Sequence, residues 1–206
     1  MKAARGLPLL AALCLGACGL AGYDRSGDPG MKSLVGKRFT VQQDSFLISG
    51  SCLQEYPEKE CLLMQVAGGM AYHLDSDVPV AIPLPASFAD LGTDPAAYDQ
   101  RLMDTGIFGS SPKSAKRIVG TVPHGSVVTI TRLVSAEFGE KGRCWVVYGR
   151  LAERSDAATI EIPACGYPPE GTPSWFSYSR HDDAAYESPP KPSGSFLAPL
   201  RRQGGG

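Results

Sequence analysis

Short apolar runs alternate with polar breaks along this chain, and few of the runs carry the spacing of a long amphipathic helix. Arg38-Phe39-Thr40-Val41 alternates with the two-residue period of a half-buried strand, Phe46-Leu47-Ile48 follows, and Leu62-Leu63-Met64-Gln65-Val66 makes a third run. The strongest signals come later, at residues 125–133, 144–151 and 159–162, where Val, Ile, Thr, Tyr and Trp suit a pleated surface. Residues 78–84 are apolar, but Pro79, Pro83 and Pro85 confine them to a sheet edge or an extended loop. One short helix is predicted. Thr93 or Asp94 can cap it, Pro95 suits its first position, and residues 96–103 are mostly good helix formers before Gly106. Residues 109–116 read as loop, and no internal repeat is visible. The pattern predicts a mainly β fold.

The first residues have a different character. Lys2 and Arg5 precede an apolar run over residues 7–15, too short to cross a ~30 Å hydrocarbon core as a helix, and small residues follow. This is the anatomy of an export signal. Its end, Leu15-Gly16-Ala17-Cys18, resembles the lipobox of bacterial lipoproteins. The resemblance implies cleavage before Cys18, a diacylglycerol on its thiol and an acyl group such as palmitate on the new amino terminus. Cys14 is the weaker candidate, because Leu13 stands where the small residue is needed. Two or more acyl chains anchor stably where one holds marginally. Gly19, in place of the Asp that retains enteric lipoproteins at the inner membrane, implies the periplasmic face of the outer membrane.

Composition adds exclusions. The 206 residues carry 20 basic and 21 acidic side chains, net −1; without residues 1–17, which hold Lys2 and Arg5, the balance is −3. Such a chain has no basic footprint for nucleic acid. Gly 24 and Pro 17 favour short strands and many turns. Residues 19–32 are glycine-rich and polar, and those beyond 177 are dominated by Pro, Ser, Gly and charge. The expected organisation is a signal peptide at 1–17, a lipidated Cys18 and flexible tether at 18–32, a folded β domain at 33–176 and a disordered tail at 177–206.

Four cysteines remain inside this plan: Cys52, Cys61, Cys144 and Cys165. Four allow three pairings. Cys52 and Cys61 flank a segment centred on Tyr56-Pro57, a natural turn, and Cys144 and Cys165 are equidistant from Arg154-Ser155 between two strand segments. The expected bridges are Cys52–Cys61 and Cys144–Cys165, each stabilising by roughly 3 kcal/mol in the loop-entropy view. Free thiols and a metal site are the alternatives, although no C-x-x-C spacing occurs.

Val122-Pro123-His124-Gly125-Ser126-Val127-Val128-Thr129-Ile130, followed after a polar loop by Cys144-Trp145-Val146-Val147, resembles the core of bacterial SH3-like domains. There a Pro-x-Gly turn launches a β-branched strand and a Trp opens the next. The resemblance covers about 30 residues and implies a small, partly open antiparallel barrel with Gly36 to Val41 as an opening strand. A long insertion over residues 67–118 departs from that plan and weakens any cell-wall ligand role carried over with it.

Candidate chemistry is sparse. His124 occupies the Pro-x-Gly turn, and His181 with Asp182 and Asp183 lies in the expected tail. His73, beside Tyr72 and near Asp75 and Asp77, is the more interesting histidine; with those carboxylates or Asp90 it would be the centre of a periplasmic hydrolase. There is no G-x-S-x-G, phosphate loop, H-E-x-x-H or EF-hand pattern. Ser110-Ser111-Pro112-Lys113 matches S-x-x-K, but Pro112 opposes the helix that motif needs. Trp145 is expected in the core, and Trp175-Phe176-Ser177-Tyr178 is expected to pack the end of the domain. No catalytic set, metal ligand or cofactor is assigned. The expected function is a non-catalytic binding module for an envelope protein or a cell-wall component, held to the membrane by its lipid. The alternatives are an inhibitor or immunity protein against a cell-wall hydrolase, and the His73-centred hydrolase.

Overall fold

A computed structural model describes residues 22–50, 61–73, 80–93, 117–137, 143–154, 158–164, 175–178 and 187–200. In chain order its elements are β1 (Gly22–Asp24), a 3-10 turn (Met31–Ser33), β2 (Arg38–Val41), β3 (Ser45–Gly50), β4 (Cys61–Val66), β5 (Met70–His73) and β6 (Val80–Pro83). After α1 (Phe88–Thr93) come β7 (Arg117–Val122), β8 (Val127–Glu137), β9 (Arg143–Leu151), β10 (Thr159–Ile162), β11 (Phe176–Ser177), β12 (Lys191–Pro192) and β13 (Leu197–Pro199). The mainly β reading holds.

Nine of these strands form one sheet in the order β13-β2-β8-β9-β10-β4-β3-β7, with β1 also paired to β8. Among the described residues this path is open: β7 and β13 are its two ends, and no ladder joins them. The expected partly open, SH3-like barrel is not confirmed, and its antiparallel reading is corrected. The sheet is not wholly antiparallel, because β10 runs parallel to β4, with Ile160 opposite Leu62. The resemblance did capture a local solution, since Gly125 has φ 92° in the turn before β8 and Trp145 sits near the start of β9. Any curled sheet can use that turn and that buried indole.

A bulge in β8 explains how one strand serves two neighbours on the same edge. Ile130 faces Gly149 and Arg132 faces Tyr148, so Thr131 is an extra residue that bends the strand. Before the bend β8 pairs with β2, and after it with β1. The bend also turns Leu133 onto the face that already holds Val128 and Ile130. That face buries Trp145, Val147, Ile160, Ile162 and Met64, all at 1% exposure or less. Full burial of an aliphatic or aromatic side chain contributes about 1.5–3 kcal/mol, so this face is the principal store of stability.

The borders of the folded region lie further out than the sequence suggests. Met31, placed in the tether by its glycine-rich surroundings, is completely buried, and β1 pairs Tyr23 with Ser135. The tail is corrected likewise: Phe196 and Leu197 are buried, β13 pairs Leu197 with Val41, and β12 pairs with β11. Phe196 stacks on Trp175 with ring centroids 5.2 Å apart. Two large buried apolar groups, one of them stacked on an indole, supply what the average composition of that segment conceals.

Within the long insertion, β5 and β6 form a separate two-stranded ladder, which fits the proline-limited reading of residues 78–84. The helix expected over residues 96–103 lies outside the described residues. The helix that is described begins earlier. Ser87 caps α1 by accepting from the Asp90 backbone N–H at 3.2 Å, while its hydroxyl donates to the Asp90 carboxylate at 2.8 Å. Phe88 meets Phe46 edge to face at 5.4 Å, which fixes α1 on β3.

Candidate functional site

The residues singled out for chemistry do not converge among the described residues. His124 is exposed in its turn, and its backbone N–H donates to the Asp44 carboxylate at 2.8 Å, so the local order comes from Asp44 and not from the imidazole. His73 stands in β5 opposite Val80. Its side chain, together with Asp75 and Asp77, lies outside the described residues. Asp90, the remaining carboxylate of the hydrolase alternative, is committed to the α1 cap. Cys18, Cys52, Cys165, His181, Asp182, Asp183 and the segment from Ser110 to Lys113 also lie outside. No group of three or more His, Cys, Asp or Glu placed to hold a metal ion occurs among the described residues.

The aromatic residues take the packing role expected of them. Trp145 and Trp175 are fully buried and Phe176 is nearly so. Tyr178 is half-buried, with its hydroxyl donating to the Ala164 carbonyl at 3.0 Å. This contact locks the segment after Trp175 across the sheet.

Cys61 and Cys144 fall on the face opposite the main core, in a second buried cluster with Val134, Ala136, Val146 and Tyr148. Tyr178 packs against both clusters. Neither cysteine is a free thiol, since both sulfurs are disulfide-bonded. Cys61 stands opposite Gly50 and Ile162 stands opposite Val147, while the expected partners Cys52 and Cys165 lie outside the described residues.

The same face carries a charged element that sequence reading missed. The Arg132 guanidinium lies 4.6 Å from the centre of the buried Tyr148 ring, and its Nε is 4.0 Å from the Asp24 carboxylate. Arg132 thereby ties β1 to β8 and β9. The signal was hidden by the bulge at Thr131, which changes which face Arg132 occupies.

What the fold does present is an edge. At one end of the sheet, β13 is only three residues long and contains Pro199, which has no N–H. At the other end β7 is six residues long, and no strand lies on its outer side among the described residues. Its pairing with β3 slips between Leu47 and Ile48, so that Gly120 and Ile118 face consecutive residues and Val119 is left over. Val119 is 49% exposed, and Thr121 is exposed beside it. Gly120 lets the Arg154 side chain come close, its Nη1 lying 3.6 Å from where a Cβ would stand. An edge about 20 Å long, with one apolar and one hydroxyl side chain standing out, is a geometry that can receive an extended partner segment.

Together these features define a class, a β sheet that is open among the described residues, with a six-residue strand at one end and a second cluster buried on the face opposite the main core. Comparison with protein-family models, with curated proteins and with solved structures gave no match.

Proposed function

We propose that the mature chain is a lipid-anchored protein on the periplasmic face of the outer membrane, where its β domain is a non-catalytic binding module for an envelope protein or a cell-wall component. The observation that carries the binding role is the β7 edge. Among the described residues no strand lies on the outer side of β7, and Val119 and Thr121 stand exposed where they would select the side chains of an added strand. The sequence leading into the first residue of β7 reads Lys113-Ser114-Ala115-Lys116-Arg117, a basic run that favours an acidic partner segment.

The test is a pull-down of the anchored protein from crosslinked envelopes, run beside Cys18→Ser and the double variant Val119→Lys with Thr121→Lys. Both edge positions are exposed, so the double variant should keep its stability to within about 1 kcal/mol. One stoichiometric protein recovered with the native chain and lost with the edge variant supports the reading. Binding to purified cell wall alone would assign a cell-wall ligand in place of a protein. Recovery of neither would refute the binding module and direct attention to His73.

A further inference from the structure

We infer that the β1 surface around Tyr23 faces the lipid bilayer and is held there by the shortness of the connection to the anchor. The inference rests on the reading of Cys18 as the lipidated residue and goes beyond it, because anchoring alone leaves orientation undecided. It follows from where the fold begins. A tether of some fourteen residues would let the domain turn freely, but β1 starts at Gly22 and is paired to β8 from its first residue, Gly22 facing Ala136. From Cys18 to Gly22 is four residue steps, at most about 14 Å whatever their conformation, and Tyr23 is within about 18 Å. A folded chain of this size is on the order of 40 Å across. The connection is thus less than half the width of the body it holds. The side of the molecule bearing β1 must lie against the membrane.

The exposed chemistry at that end suits a lipid surface. Tyr23 is 57% exposed, more than Val119 or Leu200, the other large hydrophobic residues at the surface among those described. A tyrosine combines an apolar ring with a polar hydroxyl, and the side chain is enriched at the headgroup level of membranes for that reason. The charges around it are matched in sign. Asp24 lies by Arg132 and Asp28 is paired with Arg25, so two carboxylates answer two guanidiniums, and the exposed Lys32 adds one positive charge. Anionic headgroups would meet no net repulsion there.

The test places photoreactive benzoylphenylalanine at position 23, 119 or 200 in the full chain, irradiates intact envelopes and counts lipid adducts by mass spectrometry. Mass analysis of the amino-terminal peptide reports Cys18 modification in every arm. The expected result is adduct formation at position 23 well above that at 119. It should fall on the order of tenfold when a 30-residue Gly/Ser spacer is inserted between Leu20 and Ala21, because local concentration drops steeply with linker length. A modified Cys18 with no excess of adduct at 23 overturns the proposed orientation and leaves the anchor standing. An adduct indifferent to the spacer overturns the tether as its cause. An unmodified Cys18 overturns both the anchor and the orientation.

Discussion

Replacing Phe196 by Ala tests whether the last described segment is part of the fold or an ornament on it. The ring is 6% exposed, stacks on Trp175 at 5.2 Å and sits one residue before Leu197, which pairs with Val41. Removing a buried Phe side chain costs about 3–5 kcal/mol, of which roughly 0.5–1.5 is the lost ring pair. The upper value has a physical limit. Residues 187–200 lie at the end of the sheet, so once their docking energy is spent they would detach and the remainder would stand without them. The expected loss is therefore about 3 kcal/mol, with Leu197→Ala costing much less in the Phe196→Ala background than alone. Urea unfolding followed by tryptophan fluorescence reads both quantities, since Trp175 reports the docked ring directly. For a chain of this size the change corresponds to a fall in Tm of roughly 6–12 °C. A loss below about 1 kcal/mol, or strict additivity with Leu197→Ala, would refute the claim that the segment is docked as a cooperative piece.

Three further outcomes are expected. Gly149→Ala should cost about 1–3 kcal/mol by overpacking, because a Cβ there would stand 2.9 Å from Val128 Cγ2 and 3.0 Å from the Thr129 carbonyl oxygen; a stable variant in thermal unfolding would contradict the tight β8-β9 contact. Ser87→Ala should remove the cap of α1 and cost about 1 kcal/mol, read as faster amide exchange confined to α1 and the Phe46-Phe88 contact, whereas unchanged exchange would count against the cap. Peptide mapping without reduction should recover Cys52 with Cys61 and Cys144 with Cys165. Replacing Cys144 and Cys165 by Ser should lower stability by about 3 kcal/mol, and recovery of crossed pairs would overturn the proposed bridges.

Strands β2, β3, β4, β8, β9 and β10 were legible because their alternation and β-branched residues record which side of a sheet each position takes. The features that escaped are those in which a distant partner decides. β7 reads poorly because the bulge at Val119 breaks its alternation, and β8 conceals the placement of Arg132 in the same way. Met31 is a lone apolar residue among glycines and polar groups, and only the assembled sheet supplies the pocket that buries it. The tail hid its order behind proline. Pro189, Pro190 and Pro192 looked like disorder, yet proline also lowers the entropy lost on docking, and Pro190 is itself buried. The cap of α1 lies in Ser87-Phe88-Ala89-Asp90, an S-x-x-D pattern that the reading of the sequence missed. Of the site, the exposed His124 turn and the packing of Trp145 and Trp175 were legible, while the uncovered edge was not. Edges belong to topology, and topology is set by the β10-β4 pairing that no local pattern encodes.

That β10-β4 pairing, together with β13 on β2, bears on how the protein comes into being. β4 can form its hairpin with β3 early, but its other side waits for residues 159–162, and β2 waits for a strand near the end of the chain. A single side-chain hydrogen bond, from Gln43 to the Ser195 carbonyl, already spans 152 positions. Closing such separations slows folding and leaves strand edges uncovered meanwhile. On the proposed lipid anchor at Cys18, a chain emerging amino terminus first would be attached to the membrane before its sheet is complete. The finished order of strands would then be assembled beside a lipid surface, with the last-made segment completing the first-made one.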